Sequence, residues 1–303
     1  MTSVVPAWGP NTAEVCDSTS PPLARSSLEA TVVARLEQAG VISARAEARW
    51  LLDEVVGATV WRKDPVSAAA VARLETLLGR RLAGEPLQYV LGYAPFGALR
   101  LAVGPGVLVP RPETEILADE ARRRLLDWRG AATVVDMCTG SGAIAAFLAG
   151  AFAGAHPKAT IIATDYSPAA AAWARRNLSG SGVEVREGDL YEALAPCLAK
   201  SVSMIVANPP YLPDAIAPQL PADVRDHEPG MALYGGVDGL GIVRRILAGA
   251  LTWLAPGGWL MCEIAEDQGD RVRALAAAAG LLGARIAPDL AGRDRILEAR
   301  APW

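Results

Sequence analysis

The chain has 303 residues, 51% of them hydrophobic, which is enough to build a substantial core in one large or two ordinary domains and too apolar for general disorder. With 29 basic and 33 acidic side chains the net charge is −4, so no global basic field of the kind that drives nucleic-acid binding is present; a protein or small-molecule substrate fits better, and no direct nucleic-acid binding is expected. The four cysteines, Cys16, Cys138, Cys197 and Cys262, are scattered without a CxxC pair, which predicts neither a metal site nor a disulfide framework and points to a reducing cytoplasm.

Residues 1–27 are rich in Pro, Ser and Thr and read as a flexible tail rather than a signal peptide. From 28 to 92 the pattern is mostly helical, with Val32, Val33 and Leu36, then Trp50, Leu51 and Val55, then Val71, Leu74, Leu77 and Leu78 recurring at three and four; a small helical domain for substrate recognition is expected. Prolines and glycines punctuate 93–110, where Leu99, Leu101 and Val103 alternate with Arg100 and Ala102, the mark of a β-hairpin linker. A helix over 113–128 then opens a domain spanning 111–303 in which strand and helix signals repeat, as in an α/β fold with a mostly parallel sheet. Strands are predicted at 133–137, 160–164, 184–187, 203–207, 259–264 and 295–299. The longest apolar stretch, 143–155, falls short of the roughly 20 residues a bilayer requires, so no membrane span is expected. Only His156 and His227 are available for histidine-based nucleophilic chemistry, and neither sits in a nucleophile motif.

Ligands of such sheets bind beyond the carboxyl ends of the strands. The first of these strands runs into Cys138-Thr139-Gly140-Ser141-Gly142, a glycine loop that either cradles a nucleotide or makes a tight turn; it matches neither the full dinucleotide fingerprint nor a P-loop. The second ends at Asp165, followed by Tyr166. Ser167 and Pro168 already provide a helix start, leaving the Asp165 carboxylate for a ribose diol or for solvent. After the third come Asp189 and Leu190, suited to an adenine amine and ring, although Asp189 serves equally well as a turn residue.

Asn208-Pro209-Pro210-Tyr211 follows the fourth strand. An amide nitrogen is a poor nucleophile, and an enzyme that alkylates it must hold its protons and aim its lone pair. Asn208 offers a side-chain carbonyl, Pro209 a main-chain carbonyl, and neither proline carries a competing N–H. Tyr211 presents a π-face to a planar group or to the cation that delivers the alkyl group. The bland alternative is a turn at a strand end.

This ordered set resembles the class I S-adenosylmethionine-dependent methyltransferases, with a Rossmann-like, mostly parallel sheet, and the tetrapeptide resembles that of enzymes acting on amino or amide nitrogens. Further segments narrow the likeness to the protein-(glutamine-N5) methyltransferase family that modifies peptide-chain release factors: Gly84-Glu85-Pro86-Leu87-Gln88-Tyr89, Arg111-Pro112-Glu113-Thr114-Glu115, Glu228-Pro229, Gly235-Gly236-Val237-Asp238-Gly239-Leu240 and Asp289-Leu290-Ala291-Gly292-Arg293. The resemblance implies a small N-terminal helical domain, S-adenosylmethionine as cofactor and a class I release factor as protein partner, modified in its Gly-Gly-Gln loop. It implies that Cys138, Thr139, Gly140, Ser141, Gly142, Asp165, Tyr166, Asp189, Leu190 and Asn208 meet the cofactor, and that Asn208, Pro209, Pro210 and Tyr211 hold the glutamine amide. Phe96, Arg111 and Glu113 are further candidates for substrate contact, against core packing for Phe96 and a helix entrance for the other two. Glycine is common in the family at the position of Cys138, and cysteine there resembles a branch that methylates a ribosomal-protein glutamine. That substrate, a small-molecule nitrogen and a nucleobase amine are the alternatives to a release factor.

Overall fold

The computed structural model describes residues 24–58, 64–153 and 159–303, which divide into two compact units between Leu82 and Ala83. Of the tail expected over 1–27, residues 1–23 lie outside the described residues, and Arg25 already opens a helix. Cys16 and His156 are outside them as well. The first unit holds α1 (Arg25–Gln38), α2 (Ala44–Val56) and α3 (Ala68–Leu82). Its core follows the helical spacing of the apolar residues: Leu28, Val32 and Leu36 from α1, Ala48, Leu51 and Leu52 from α2, Leu74 and Leu78 from α3 are all buried. Glu47 ties α2 to α3, accepting from Arg81 Nε at 2.6 Å and from the Ser43 hydroxyl at 2.9 Å. Breaking such a buried pair by removing one partner leaves an uncompensated charge.

The second unit opens with the short α4 (Leu87–Leu91) and the hairpin of β1 (Tyr93–Phe96) and β2 (Leu99–Ala102), in which Tyr93 lies opposite Ala102. There follow α5 (Pro112–Leu126), β3 (Thr133–Met137), α6 (Ala143–Phe152), β4 (Thr160–Asp165), α7 (Pro168–Asn177), β5 (Glu184–Glu187) and β6 (Val202–Ala207). After these come α8 (Ala222–His227), α9 (Gly230–Leu233), α10 (Gly241–Trp253), β7 (Leu254–Glu263), α11 (Gly269–Ala278), β8 (Leu282–Pro288) and β9 (Asp294–Arg300). The sheet order is β5-β4-β3-β6-β7-β9-β8. Strands β3 to β7 run parallel, and β9 is antiparallel to both β7 and β8. Six of these strands coincide with the sequence pattern to within a few residues. The seventh, β8, is an edge strand that exposes most of its length, and Gly283, Arg285 and Pro288 interrupt any apolar alternation.

Alternation along the central strands divides the core into two layers. Val134, Met204, Val206, Met261 and Ile296 belong to the layer with Leu117 of α5 and Leu148 of α6. Val135, Ile205, Ala207, Leu260, Cys262 and Leu297 belong to the layer with Val243 and Ile246 of α10 and Val272 of α11. No helix among the described residues is long and apolar enough to cross a membrane.

Phe96 sits in the first of these layers, fully buried, its ring edge-on to Phe147 with centroids 6.2 Å apart. The expectation that it meets substrate is therefore corrected: the alternation of β1 turns this ring inward, and it becomes the core anchor of the hairpin. Phe96→Ala should lower the stability of the second unit by about 3–5 kcal/mol, measured by urea denaturation. A loss under about 1 kcal/mol would contradict the anchor role.

Candidate active site

Register gathers the strand ends into one edge. Met137 pairs with both Thr164 and Ala207, and Asp165 pairs with Glu187, so the residues that follow β3, β4, β5 and β6 emerge side by side. The chain moves outward from β3 through β4 and β5 and returns to place β6 on the other flank of β3, which opens the crevice expected at such a reversal. A cavity of about 470 Å³ lies there, within the range of about 300–1,000 Å³ usual for small-molecule sites.

Cys138, Thr139, Gly140 and Ser141 form its floor, with Asp165 and Tyr166, Asp189 and Leu190, and Asn208 around them. Gly140 stands at φ +57, its amide donating to Asp165 Oδ2 at 2.8 Å, and a Cβ at this position would meet only the Val107 side chain, in loose contact at 4.0 Å. The backbone is thus left accessible to a ligand. Gly142, at φ +83, does not line the cavity. A Cβ there would press to 3.0 Å on Leu178, so this glycine serves the packing of α6 on α7. Cys138 occupies φ +59, in the left-handed region that favours glycine. Burial, followed by the charge of Asp165, pushes its thiol well above the ordinary range.

Asp165 Oδ1 accepts from the Ser167 amide at 2.9 Å and Oδ2 from that of Gly140, while the Ser167 hydroxyl caps α7 through the Ala170 amide at 3.3 Å. A carboxylate has about four acceptor positions. At least two are taken by the main chain. Asp189 Oδ2 accepts from Arg245 Nη2 at 2.8 Å, and both residues line the cavity. Sequence reasoning missed Asn177, which looks like an ordinary last residue of a helix. Its amide bonds both main-chain polar groups of Ala102 and the Ser141 carbonyl, at 2.8–2.9 Å, and so stitches the hairpin to the glycine loop.

Asn208 also lines a second cavity of about 260 Å³, where Tyr211, Arg111, Leu212, Leu220 and Val224 form the walls. Leu108, Asn208 and Ala232 are common to the two cavities, Pro210 lines only the first and Tyr211 only the second. Tyr211 thus stands on the second cavity, beside Asn208. Pro209 is buried and lines neither cavity, and none of the described residues donates to its carbonyl. Arg111 reaches Glu228 with Nη2 at 2.8 Å from both carboxylate oxygens, and Glu228 is almost fully buried, which makes it an anchor for the segment before α9. Glu113 lines neither cavity; its nearest cation is Arg293 at 3.7 Å.

Thr114 belongs to the 111–115 segment noted in the sequence but was given no role of its own, and Glu263 was not a candidate; both meet the tetrapeptide. The Asn208 amide donates to Thr114 Oγ1 at 2.9 Å, the Thr114 hydroxyl donates to Glu263 Oε2 at 2.7 Å, and the Tyr211 hydroxyl donates to Glu263 Oε1 at 3.1 Å. The pairing of Ala207 with Cys262 explains the meeting, because it sets Asn208 beside Glu263 at the ends of adjacent strands.

Residues 28–92 match the family described as PrmC N-terminal domain, and residues 114–217 match that described as methyltransferase small domain. A release factor glutamine methyltransferase of Moorella thermoacetica is 42% identical over 273 residues, covering 87% of this chain and 93% of the relative. One from Geobacter sulfurreducens is 39% identical, covering 88% and 92% respectively. The chain belongs to the release factor glutamine methyltransferase family. Among solved structures, a release-factor-specific protein-(glutamine-N5) methyltransferase of Alicyclobacillus acidocaldarius is 29% identical with a TM-score of 0.41, covering 67% of this chain and all of that one.

Beneath the glycine loop of this methyltransferase lies Asp136, fully buried. Its Oδ2 accepts from the Thr139 hydroxyl at 2.6 Å and the Ala145 amide at 3.0 Å, and its Oδ1 has no hydrogen-bond partner among the described residues. Burial raises the carboxyl to about 7, and the two hydrogen bonds only partly oppose that. Below pH 4 the group is protonated in the folded and unfolded chains alike. Between about 4 and 7 the unfolded chain releases this proton while the folded chain keeps it, so stability falls as pH rises. Asp136→Asn should abolish that slope: relative to the wild type, the variant should gain about 2–3 kcal/mol between pH 5 and pH 8, measured by urea denaturation at each pH. A difference that stays constant with pH would show that Asp136 ionises normally.

Proposed function

We propose that this protein transfers a methyl group from S-adenosylmethionine to the side-chain amide nitrogen of a glutamine in a protein, namely the Gly-Gly-Gln loop of a class I peptide-chain release factor. The observation that carries this reading is the position of Asn208 at the junction of two cavities, one floored by a glycine loop and acids, the other walled by Tyr211 and apolar side chains. Family membership and the names of the relatives support the same substrate.

The residues present fit the cofactor. Cys138 to Ser141 would lie against its amino-acid part, Asp165 would accept its ribose hydroxyls with the acceptor positions the main chain leaves, and Asp189 and Leu190 would meet the adenine. When bound, S-adenosylmethionine supplies an electrophilic methyl on a sulfonium centre. The chain's own part is to hold and aim the nucleophile. Asn208 Oδ1 and the Pro209 carbonyl accept the two amide protons of the glutamine, which points the nitrogen lone pair across the junction bordered by Leu108 and Ala232. Tyr211 does not act as a base, because burial and the Glu263 charge raise its phenol above the ordinary value and its proton is given to Glu263. Once the new nitrogen–carbon bond has formed, the nitrogen is acidic and loses a proton to water.

Within this reading, residues 28–92 recognise the protein substrate, 93–110 link the domains and 111–303 carry the chemistry, in the cytoplasm where release factors act. Cys138 borders only the cofactor cavity and does not argue for a ribosomal-protein substrate.

With purified release factor and labelled cofactor, Asn208→Ala should lower kcat by about 100- to 1,000-fold while the cofactor Kd, measured by calorimetry, moves less than about 5-fold. Retained turnover would defeat the role of Asn208. Label appearing on a ribosomal protein or a metabolite, and never on the release factor, would replace the substrate.

A further inference from the structure

A primary amide has two ends of nearly equal shape and opposite hydrogen-bonding character. The reading above needs the carbonyl end of Asn208 at the junction, since an NH2 group there would repel the substrate's own N–H groups. Nothing in the tetrapeptide itself decides between the two orientations. The decision comes from outside it, through a line of hydrogen bonds with a direction.

Glu263 is fully buried at the end of β7 and receives a hydroxyl on each oxygen, Thr114 on Oε2 and Tyr211 on Oε1. A threonine hydroxyl has one proton to give. Having given it to Glu263, Thr114 Oγ1 can only accept, and the group within reach at 2.9 Å is the Asn208 amide. It must therefore meet the NH2 end of Asn208. The carbonyl end is left pointing away, and no described residue donates to it. Each link sits on a different rigid element: Thr114 in the first turn of α5, Glu263 at the end of β7 and Asn208 directly after β6.

We infer that Glu263 is a positioning residue which, acting through Thr114, sets the Asn208 side chain with its carbonyl toward the nitrogen to be methylated. The inference rests on the proposed amide chemistry and adds to it a reason why the acceptor faces the right way. Protonation of Glu263 would make one of its oxygens a donor and release the Thr114 hydroxyl to turn toward Asn208, reversing the amide. Burial raises this carboxyl; the Thr114 and Tyr211 hydroxyls and the charge of Arg295 hold it down, and Glu113 raises it further. Glu113 in turn lies 3.7 Å from Arg293, and Arg295 3.5 Å from Asp289. Activity should therefore fall on acidification at a higher pH than an ordinary glutamate would cause.

The test compares Thr114→Val, Thr114→Ser and Glu263→Gln with the wild type, using release factor and labelled cofactor. Thr114→Val keeps the volume and removes the hydroxyl. Its kcat should fall about 10- to 100-fold with the KM for release factor and the cofactor Kd within about 3-fold. Thr114→Ser should return kcat to within about 3-fold of the wild type. In Glu263→Gln the acid limb of the kcat profile should disappear along with most of the activity. Thr114→Val with wild-type kcat, or losses shared equally between kcat and cofactor affinity in every variant, would overturn the inference, as would an acid limb retained in Glu263→Gln. A wild-type enzyme inactive on release factor would instead overturn the substrate reading. The direction of the line would then be read from the selectively 15N-labelled Asn208 side-chain amide, whose NMR signal should shift in Thr114→Val and return in Thr114→Ser; a signal indifferent to both variants would sink the inference without reference to any substrate.

Discussion

The pairing of one residue, Ala207, with Met137 on one side and Cys262 on the other is the constraint from which the site follows. Main-chain hydrogen bonds of a parallel sheet fix where each strand stops relative to its neighbours. Because β3, β6 and β7 stop in line, the glycine loop, Asn208 and Glu263 stand next to one another. A slip of one residue would send Asn208 to the opposite face. There it would meet α10 and α11 rather than Thr114 of α5. Both the alternation of core residues and the placement of the reactive amide thus depend on one register.

Four carboxyl groups in and under the site, Asp136, Asp165, Glu228 and Glu263, are held above the ordinary range, and burial is the leading cause for each. They differ in what offsets that burial. Asp165 takes the Gly140 amide of the loop, Asp136 the Thr139 hydroxyl of the loop and the Ala145 amide of α6, Glu228 a guanidinium, and Glu263 two hydroxyls. Each of these acids therefore fixes the position of a donor: two hold the glycine loop, one the segment before α9 and one the Asn208 amide. Buried polar groups that are satisfied in this way rigidify their surroundings. A reaction driven mainly by orientation needs such rigidity.

Much of this was legible in the sequence, and the remainder has definite physical causes. Local signals found six strands of the main sheet, the glycine loop and the tetrapeptide, because each leaves a mark within a few residues. The edge strand β8 left none, being exposed along most of its length and interrupted by Gly283 and Pro288. Phe96 was read as a candidate contact because a hairpin aromatic gives no hint of which face it takes until Phe147 is known to pack against it. Gly142 shares a motif with Gly140, yet only the structure separates a glycine open to the cavity from one that admits Leu178. Asn177, Thr114 and Glu263 are distant in sequence from what they orient, by 36, 94 and 149 residues in their respective hydrogen bonds. No spacing rule spans such separations.

The support behind the tetrapeptide explains why its geometry does not hinge on mobile side chains. Gly235 packs on the Pro210 carbonyl and Gly239 on that of Tyr211, so closely that a Cβ at either would collide with main-chain oxygen. The Tyr211 carbonyl also accepts from Gln268 Nε2 at 2.8 Å, and Leu212 exchanges main-chain bonds with Leu233 and Gly235. Contact of backbone with backbone leaves no rotamer to adjust. The glycine-rich segment between α9 and α10 therefore fixes the path of residues 210–212, while the first turn of α5 fixes the Asn208 amide. Position and orientation are set by separate elements. A change that loosens one need not disturb the other, which is why a valine at 114 is a fair probe of orientation alone.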